Sequence, residues 1–247
     1  MKVTFADARV WRYTITAMSK FIDTAVLTAT DDFLSVKGID PSKTALLEFT
    51  IPRSAFETYD IDADTKLQLN LDEVGKIMRS AERDDKITIE ADGSSIKLTF
   101  EKRGVPRTFR LPLQMEELQE IPELSLDLDN VFEMSGEVLY EAITGLEDVG
   151  EVLWVKGEEG VLRLSSESDL SEAEIVLSLD KGVLGKAEVK NPGFSVSYGM
   201  EYFTYIKQPL RVSDTAIIKA DADMPIKLEL SFIEGAKLNY YVAPRAE

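Results

Sequence analysis

Three aspartates at alternate positions, Asp60, Asp62 and Asp64, come nearest to a metal-binding motif in this sequence. Their spacing matches the opening of a calcium loop, whose carboxylates reach the ion from positions one, three and five. Such a loop needs Gly at position six and a bidentate Glu at position twelve; Thr65 and Leu71 stand there instead. The segment therefore reads as an acidic turn ahead of a strand. His and Cys are absent, which removes Ser-His-Asp triads, Cys nucleophiles, thiolate or imidazole zinc sites and disulfides. No G-x-x-x-x-G-K-[ST] phosphate loop and no G-x-G-x-x-G turn occurs. With 45 Asp and Glu in 247 residues, carboxylate pairs arise by chance, and none is marked out as a glycosidase-like acid/base couple. The expectation is a protein that is not an enzyme and needs neither metal nor cofactor.

Basic residues carry the stronger signal. Arg9, Arg12 and Lys20 recur at i, i+3 and i+11, and Lys76, Arg79 and Arg83 at i, i+3 and i+7, each set on one face of a helix. Lys207 and Arg211 close a further amphipathic segment. One such stripe fits an ordinary solvated face. Two stripes at matching places, on a chain of formal net charge −17, point to a local basic surface that meets phosphate backbone without reading bases. A third amphipathic segment breaks the pattern, with Glu137, Glu141, Glu147 and Asp148 and no basic residue. Either it repels a polyanion, or it lies beside Arg79, Arg83 or Arg107 of another copy.

The elements that must position these residues follow from periodicity. Strands of period two are expected at 66–71, 86–90, 95–100, 108–113, 161–165, 173–179, 216–220 and 227–232, separated by Gly, Asp and Pro turns. Helical spacing of apolar residues covers 8–22, 71–81, 135–149 and 199–207. The first and third helices, and the second and fourth, are each offset by about 127 residues, as are the strands at 108–113 and 235–240. The fold class expected is α+β, with two topologically similar domains, each of β-sheets carrying two helices: 1–113 and 131–247, joined by an acidic connector at 114–130. No signal-peptide pattern and no run of 18 apolar residues is seen, which leads to the expectation of a cytoplasmic protein with no membrane partner. The terminal Tyr240-Tyr241-Val242-Ala243-Pro244-Arg245 either packs its aromatics inward or exposes them as part of a partner site.

Five segments in order, Gly38-Ile39-Asp40-Pro41-Ser42, Glu117-Leu118-Gln119-Glu120-Ile121-Pro122-Glu123, Ser197-Tyr198-Gly199-Met200-Glu201-Tyr202, Met224-Pro225-Ile226 and Tyr241-Val242-Ala243-Pro244-Arg245, resemble the proliferating cell nuclear antigen family of DNA sliding clamps, in its archaeal, crenarchaeal-like form. The resemblance implies three chains closed head to tail, as a homotrimer or heterotrimer, into a ring around duplex DNA. Helices would line the hole with Arg9, Arg12, Lys20, Lys76, Arg79, Arg83, Lys207 and Arg211. Strand 108–113 of one subunit would pair with 173–179 of the next, with Arg107 and Arg110 facing Glu172 and Glu174. A partner-peptide pocket would involve Ile39, Lys43, Leu46, Leu118, Ile121, Pro122, Pro225, Tyr241, Ala243, Pro244 and Arg245. The implied role is a processivity factor that works with a clamp loader and tethers DNA polymerase, flap endonuclease and DNA ligase. The alternative is a checkpoint-type clamp subunit without polymerase tethering.

Overall fold

Alternating burial along the strands and apolar stripes on the helices divide the chain into two compact units. The structure, a computed structural model, describes residues 1–113 and 118–246. The first unit comprises residues 1–43, 47–122 and 233–237, and the second 44–46, 123–232 and 238–247. Residues 114–117, the start of the expected connector, lie outside the described residues. Of the remainder, 118–122 count with the first unit and 123–130 with the second.

The first unit runs β1 (Lys2–Phe5), α1 (Ala8–Met18), β2 (Thr24–Ala29), β3 (Phe33–Ile39), β4 (Ala45–Pro52), β5 (Phe56–Asp60), β6 (Thr65–Asn70), α2 (Leu71–Met78), β7 (Lys86–Ala91), β8 (Ser95–Lys102) and β9 (Val105–Pro112). One sheet has the order β5-β1-β7-β8-β9, antiparallel throughout, and β4, β3, β2 and β6 lie side by side in a second. β2 places Ala25, Leu27 and Ala29 inward, where α1 contributes Trp11, Ile15 and Met18 and α2 contributes Leu71, Val74 and Met78. Trp11 meets Phe49 of β4 edge to face at 5.5 Å, a geometry favoured by the ring quadrupoles. Asp7 caps α1 by accepting the Arg9 N–H, and Asn70 caps α2 by accepting the Glu73 N–H. The two helices approach so closely that a Cβ at Gly75 would lie 2.8 Å from the Ser19 Cβ.

The second unit repeats the order: β10 (Asn130–Met134), α3 (Gly136–Leu146), β11 (Val152–Glu158), β12 (Val161–Glu167), β13 (Glu172–Ser178), β14 (Lys186–Glu188), β15 (Phe194–Gly199), α4 (Met200–Tyr205), α5 (Lys207–Val212), β16 (Thr215–Ala220), β17 (Ile226–Ser231) and β18 (Lys237–Val242). Here β14-β10-β16-β17-β18 and β13-β12-β11-β15 lie side by side. Adding nine to every strand number of the first unit reproduces both orders, so the two units share one topology. Asn130 anchors the second at zero exposure: its amide donates to Ala220 O at 3.0 Å, and its carbonyl accepts Lys190 N–H and Asn191 N–H at 3.0 and 3.1 Å.

The helices are shorter than their apolar stripes. α1 stops at Met18 rather than Ile22, and α2 at Met78 rather than Ala81. In both cases the chain tightens into i→i−3 bonds, Lys20 N–H to Ala17 O and Ser80 N–H to Ile77 O, which satisfy carbonyls that a helix end leaves open. The fourth helix splits at Ile206. Pro209 has no N–H to give the Tyr205 carbonyl, and its ring crowds that oxygen.

Candidate nucleic-acid interface

The helical cations differ in how far their charge is already taken up. Arg9 closes on Asp7, the residue capping its own helix, at 2.7 Å. Burial raises the Asp7 carboxyl, but hydrogen bonds from Arg9 outweigh it and hold the group below its ordinary value. Arg12 donates to the Ala81 carbonyl at 2.6 Å and lies 5.8 Å over the Tyr13 ring, so it braces the segment after α2. Lys76 is shared between Asp72 at 2.8 Å and Glu73 at 2.9 Å. Their hydrogen bonds raise its pKa.

Lys20 and Arg83 fall in turns rather than on the helix faces expected for them, because α1 and α2 end early. Arg79 is the exposed C-cap of α2. Arg83 is 82% exposed, with Asp84 at 3.9 Å. Arg79 and Arg83 therefore stand beyond the C-terminal end of α2, beside the start of α1, whereas Lys20 follows α1 at the opposite end of the helix pair, near the start of α2.

In the second unit, Lys207 and Arg211 belong to α5, not to the end of a continuous fourth helix. Lys207 pairs with Glu147, and the Tyr140 ring lies beneath both cations, 5.4 Å from Lys207 Nζ and 5.8 Å from the Arg211 guanidinium carbon. Glu147, expected either to repel a polyanion or to meet another copy, instead neutralises a lysine of its own unit. Tyr140 went unread as a site residue, because its partners lie far along the chain and only the packing of α3 on α5 joins them.

Six strands end the described strand orders, β5, β6, β9, β13, β14 and β15; β9 in the first unit and β13 in the second are the two that the resemblance pairs between subunits. Arg110 on β9 is exposed. Arg107 is turned back on its own unit, to Glu82 at 2.7 Å and to Asp85. On β13, Glu174 is held by Arg163 at 3.0 Å, while Glu172 is exposed. Of the four residues expected between subunits, Arg107 and Glu174 thus already have partners within the chain.

The expected peptide-pocket residues distribute over both units. In the first, Ile39 and Ile121 are half-buried, while Lys43, Leu118 and Pro122 are exposed. The segment around Leu118 is pinned by Gln119, whose N–H donates to Gln68 Oε1 at 2.9 Å and whose Oε1 accepts the Thr24 hydroxyl at 3.0 Å. In the second, Leu46 is buried, Pro225, Ala243 and Pro244 are half-buried, and Arg245 is exposed. Backbone bonds from Ala243 to Thr44 and from Arg245 to Ser197, both 2.8 Å, fix the end of the chain. The aromatic pair is not exposed. Tyr240 is 0% and Tyr241 7% exposed, Tyr240 donating to Tyr202 O at 3.0 Å and Tyr241 lying beneath Lys227 at 5.5 Å. As neighbours on β18 they point to opposite faces, so the two rings are covered on different sides of the strand.

Two copies of one antiparallel unit, each with helix-borne cations, and with β9 and β13 ending their sheets, define a duplicated clamp-type chain. Residues 1–122 match the family described as Proliferating cell nuclear antigen, N-terminal domain. The chain is 30% identical to DNA polymerase sliding clamp 3 of Aeropyrum pernix, over 98% of this chain and 97% of the relative. It is likewise 30% identical to the DNA polymerase sliding clamp of Thermofilum pendens, over the whole of both. It superimposes on a chain from the crystal structure of the PCNA2-PCNA3 complex of Sulfolobus tokodaii with a TM-score of 0.91, at 30% identity and full coverage of both. The chain belongs to the proliferating cell nuclear antigen family and is a DNA polymerase sliding-clamp subunit. No helix among the described residues is long and apolar enough to cross a membrane.

Proposed function

We propose that this subunit closes a three-chain ring around duplex DNA and serves as a processivity factor. Among the six strands that end the described sheets, β9 in one unit and β13 in the other carry opposite charges. Open edges invite pairing with another chain, and two different edges on one chain give a head-to-tail contact that closes as a ring. That pair of edges is the observation that carries the reading. Arg110 and Glu172 supply opposite charges at the two strands. The relative named as a PCNA2-PCNA3 complex supports partners that are other clamp chains as well as further copies of this one.

DNA would be held by enclosure rather than by affinity, with Arg79 and Arg83 giving loose phosphate contact, Lys20 and Arg211 adding to it, and Arg9, Arg12, Lys76 and Lys207 contributing less through their hydrogen bonds and ion pairs within the chain. A chain with net charge −17 keeps its remaining surface unattractive to DNA. Such a ring performs no chemistry of its own. A clamp loader would open it, and polymerase, flap endonuclease and ligase would dock by short peptides against Ile39, Lys43, Leu46, Leu118, Ile121, Pro122, Pro225, Tyr241, Ala243, Pro244 and Arg245.

Light scattering tests the assembly. A mass near three times 27.6 kDa, for this chain alone or mixed with the other clamp chains of its source, is the expected result. A mass that stays at one chain under both conditions would refute it.

A further inference from the structure

One buried carboxylate serves none of the surfaces described above. Asp85 closes the segment between α2 and β7 and is 0% exposed. Its Oδ2 accepts the Glu82 N–H at 2.5 Å and the Arg107 guanidinium, while Oδ1 is buried without a hydrogen-bond partner. Its backbone carbonyl accepts the Ala8 N–H at 2.9 Å, at the start of α1. Arg107 also grips Glu82 at 2.7 Å, and Lys102 reaches the same carboxylate at 3.3 Å. Arg12 holds the Ala81 carbonyl at 2.6 Å. Between these grips the tip of the segment projects into solvent, with Arg83 82% and Asp84 72% exposed and Asp84 at φ +68°.

We propose that Arg107 is a positioning residue: through Asp85 and Glu82 it latches the 79–85 segment, which carries Arg79 and Arg83, to the sheet strand β9. A buried carboxylate is tolerable only while its cation is present, because an unpaired charge out of water is costly. Once Arg107 is gone, Asp85 finds water most readily by swinging outward and taking the segment with it. Arg107 thus acts inside its own unit. The latch stands on geometry alone; its effect on phosphate contact rests on the function proposed above.

Hydrogen exchange on the full chain tests the latch. In Arg107→Ala, amides of residues 80–85 are expected to exchange about tenfold faster or more, while β7 and β8 keep their protection. Arg107→Lys should restore part of the loss, since it returns the charge without the guanidinium fork. If Arg107→Ala does not fold, the double variant Arg107→Ala/Asp85→Asn removes the unpaired charge and still releases the segment. The molar mass of the assembly should be unchanged. Unaltered exchange at 80–85 would overturn the proposal, and so would dissociation of the assembly with that protection intact. Binding to a linear duplex at rising salt is the separate readout. Faster exchange with an unaltered salt slope supports the latch and refutes the phosphate role of Arg79 and Arg83.

Discussion

Replacing Arg79 and Arg83 by Gln isolates phosphate contact from folding. Arg79 is an exposed helix C-cap and Arg83 is 82% exposed with only a 3.9 Å neighbour, so the double substitution should move stability by no more than about 0.5 kcal/mol per site. Each neutralised phosphate contributes about 0.9 to the slope of log affinity against log salt. Two arginines removed should therefore flatten the slope by about 1.8 per subunit. Between about 50 and 200 mM salt, that change amounts to roughly a tenfold smaller loss of affinity for each subunit engaged. Fluorescence anisotropy with a labelled linear duplex across that salt range reads it directly, because a linear duplex removes the contribution of enclosure. A slope indistinguishable from that of the unaltered chain, in a variant with the same melting temperature, would show that these arginines do not meet DNA.

Three further outcomes are expected. Tyr241→Ala should weaken binding of a partner peptide with aromatic and aliphatic anchors about tenfold or more, and should cost about 3 kcal/mol of stability because the ring is 7% exposed; Tyr241→Phe should retain both in a peptide titration paired with urea unfolding. Asn130→Ala should destabilise the second unit by about 3 kcal/mol, since three backbone groups on two segments, Ala220 O and the N–H groups of Lys190 and Asn191, lose their partner together. The Asp92 carboxyl is held down to about 2 by hydrogen bonds from the Ser94 N–H and hydroxyl and from Ser95. A depressed carboxylate stabilises the fold above its unfolded pKa and ceases to do so as pH falls through the folded value. Acid unfolding of Asp92→Asn should therefore show less dependence on pH between about 4 and 2, as followed by circular dichroism.

Much of the architecture was legible because local and global patterns agree. Val74, Met78 and Ala81 are buried as their spacing demands, with Ile77 half-buried beside them, and β12 buries alternate residues from Leu162 to Ser166. Two of the strands between 24 and 60, β3 and β4, went unread for a physical reason. β3 buries three consecutive residues, Leu34, Ser35 and Val36, and β4 opens with Ala45, Leu46 and Leu47 all buried. Strands covered on both faces do not alternate. Helix ends were overrun because i→i−3 tightening at Lys20 and Ser80 leaves no compositional mark.

The site was legible by residue type and opaque by partner. Sequence can mark Arg107 and Lys207 as cations. It cannot show that Arg107 reaches Asp85 across the sheet, or that Lys207 meets Glu147 sixty residues away. Those pairings decide which cations remain available to phosphate, and they arise only once the strands are in register.

Enclosure of DNA is best tested by topology. The chain, with whatever clamp chains complete its ring and a clamp loader, is loaded on a nicked circular duplex, washed at high salt, and half of the sample is linearised with a single cut. Retention on the circle and release from the linear form is the predicted result. Equal release from both, or equal retention on both, would contradict a ring that holds DNA by surrounding it.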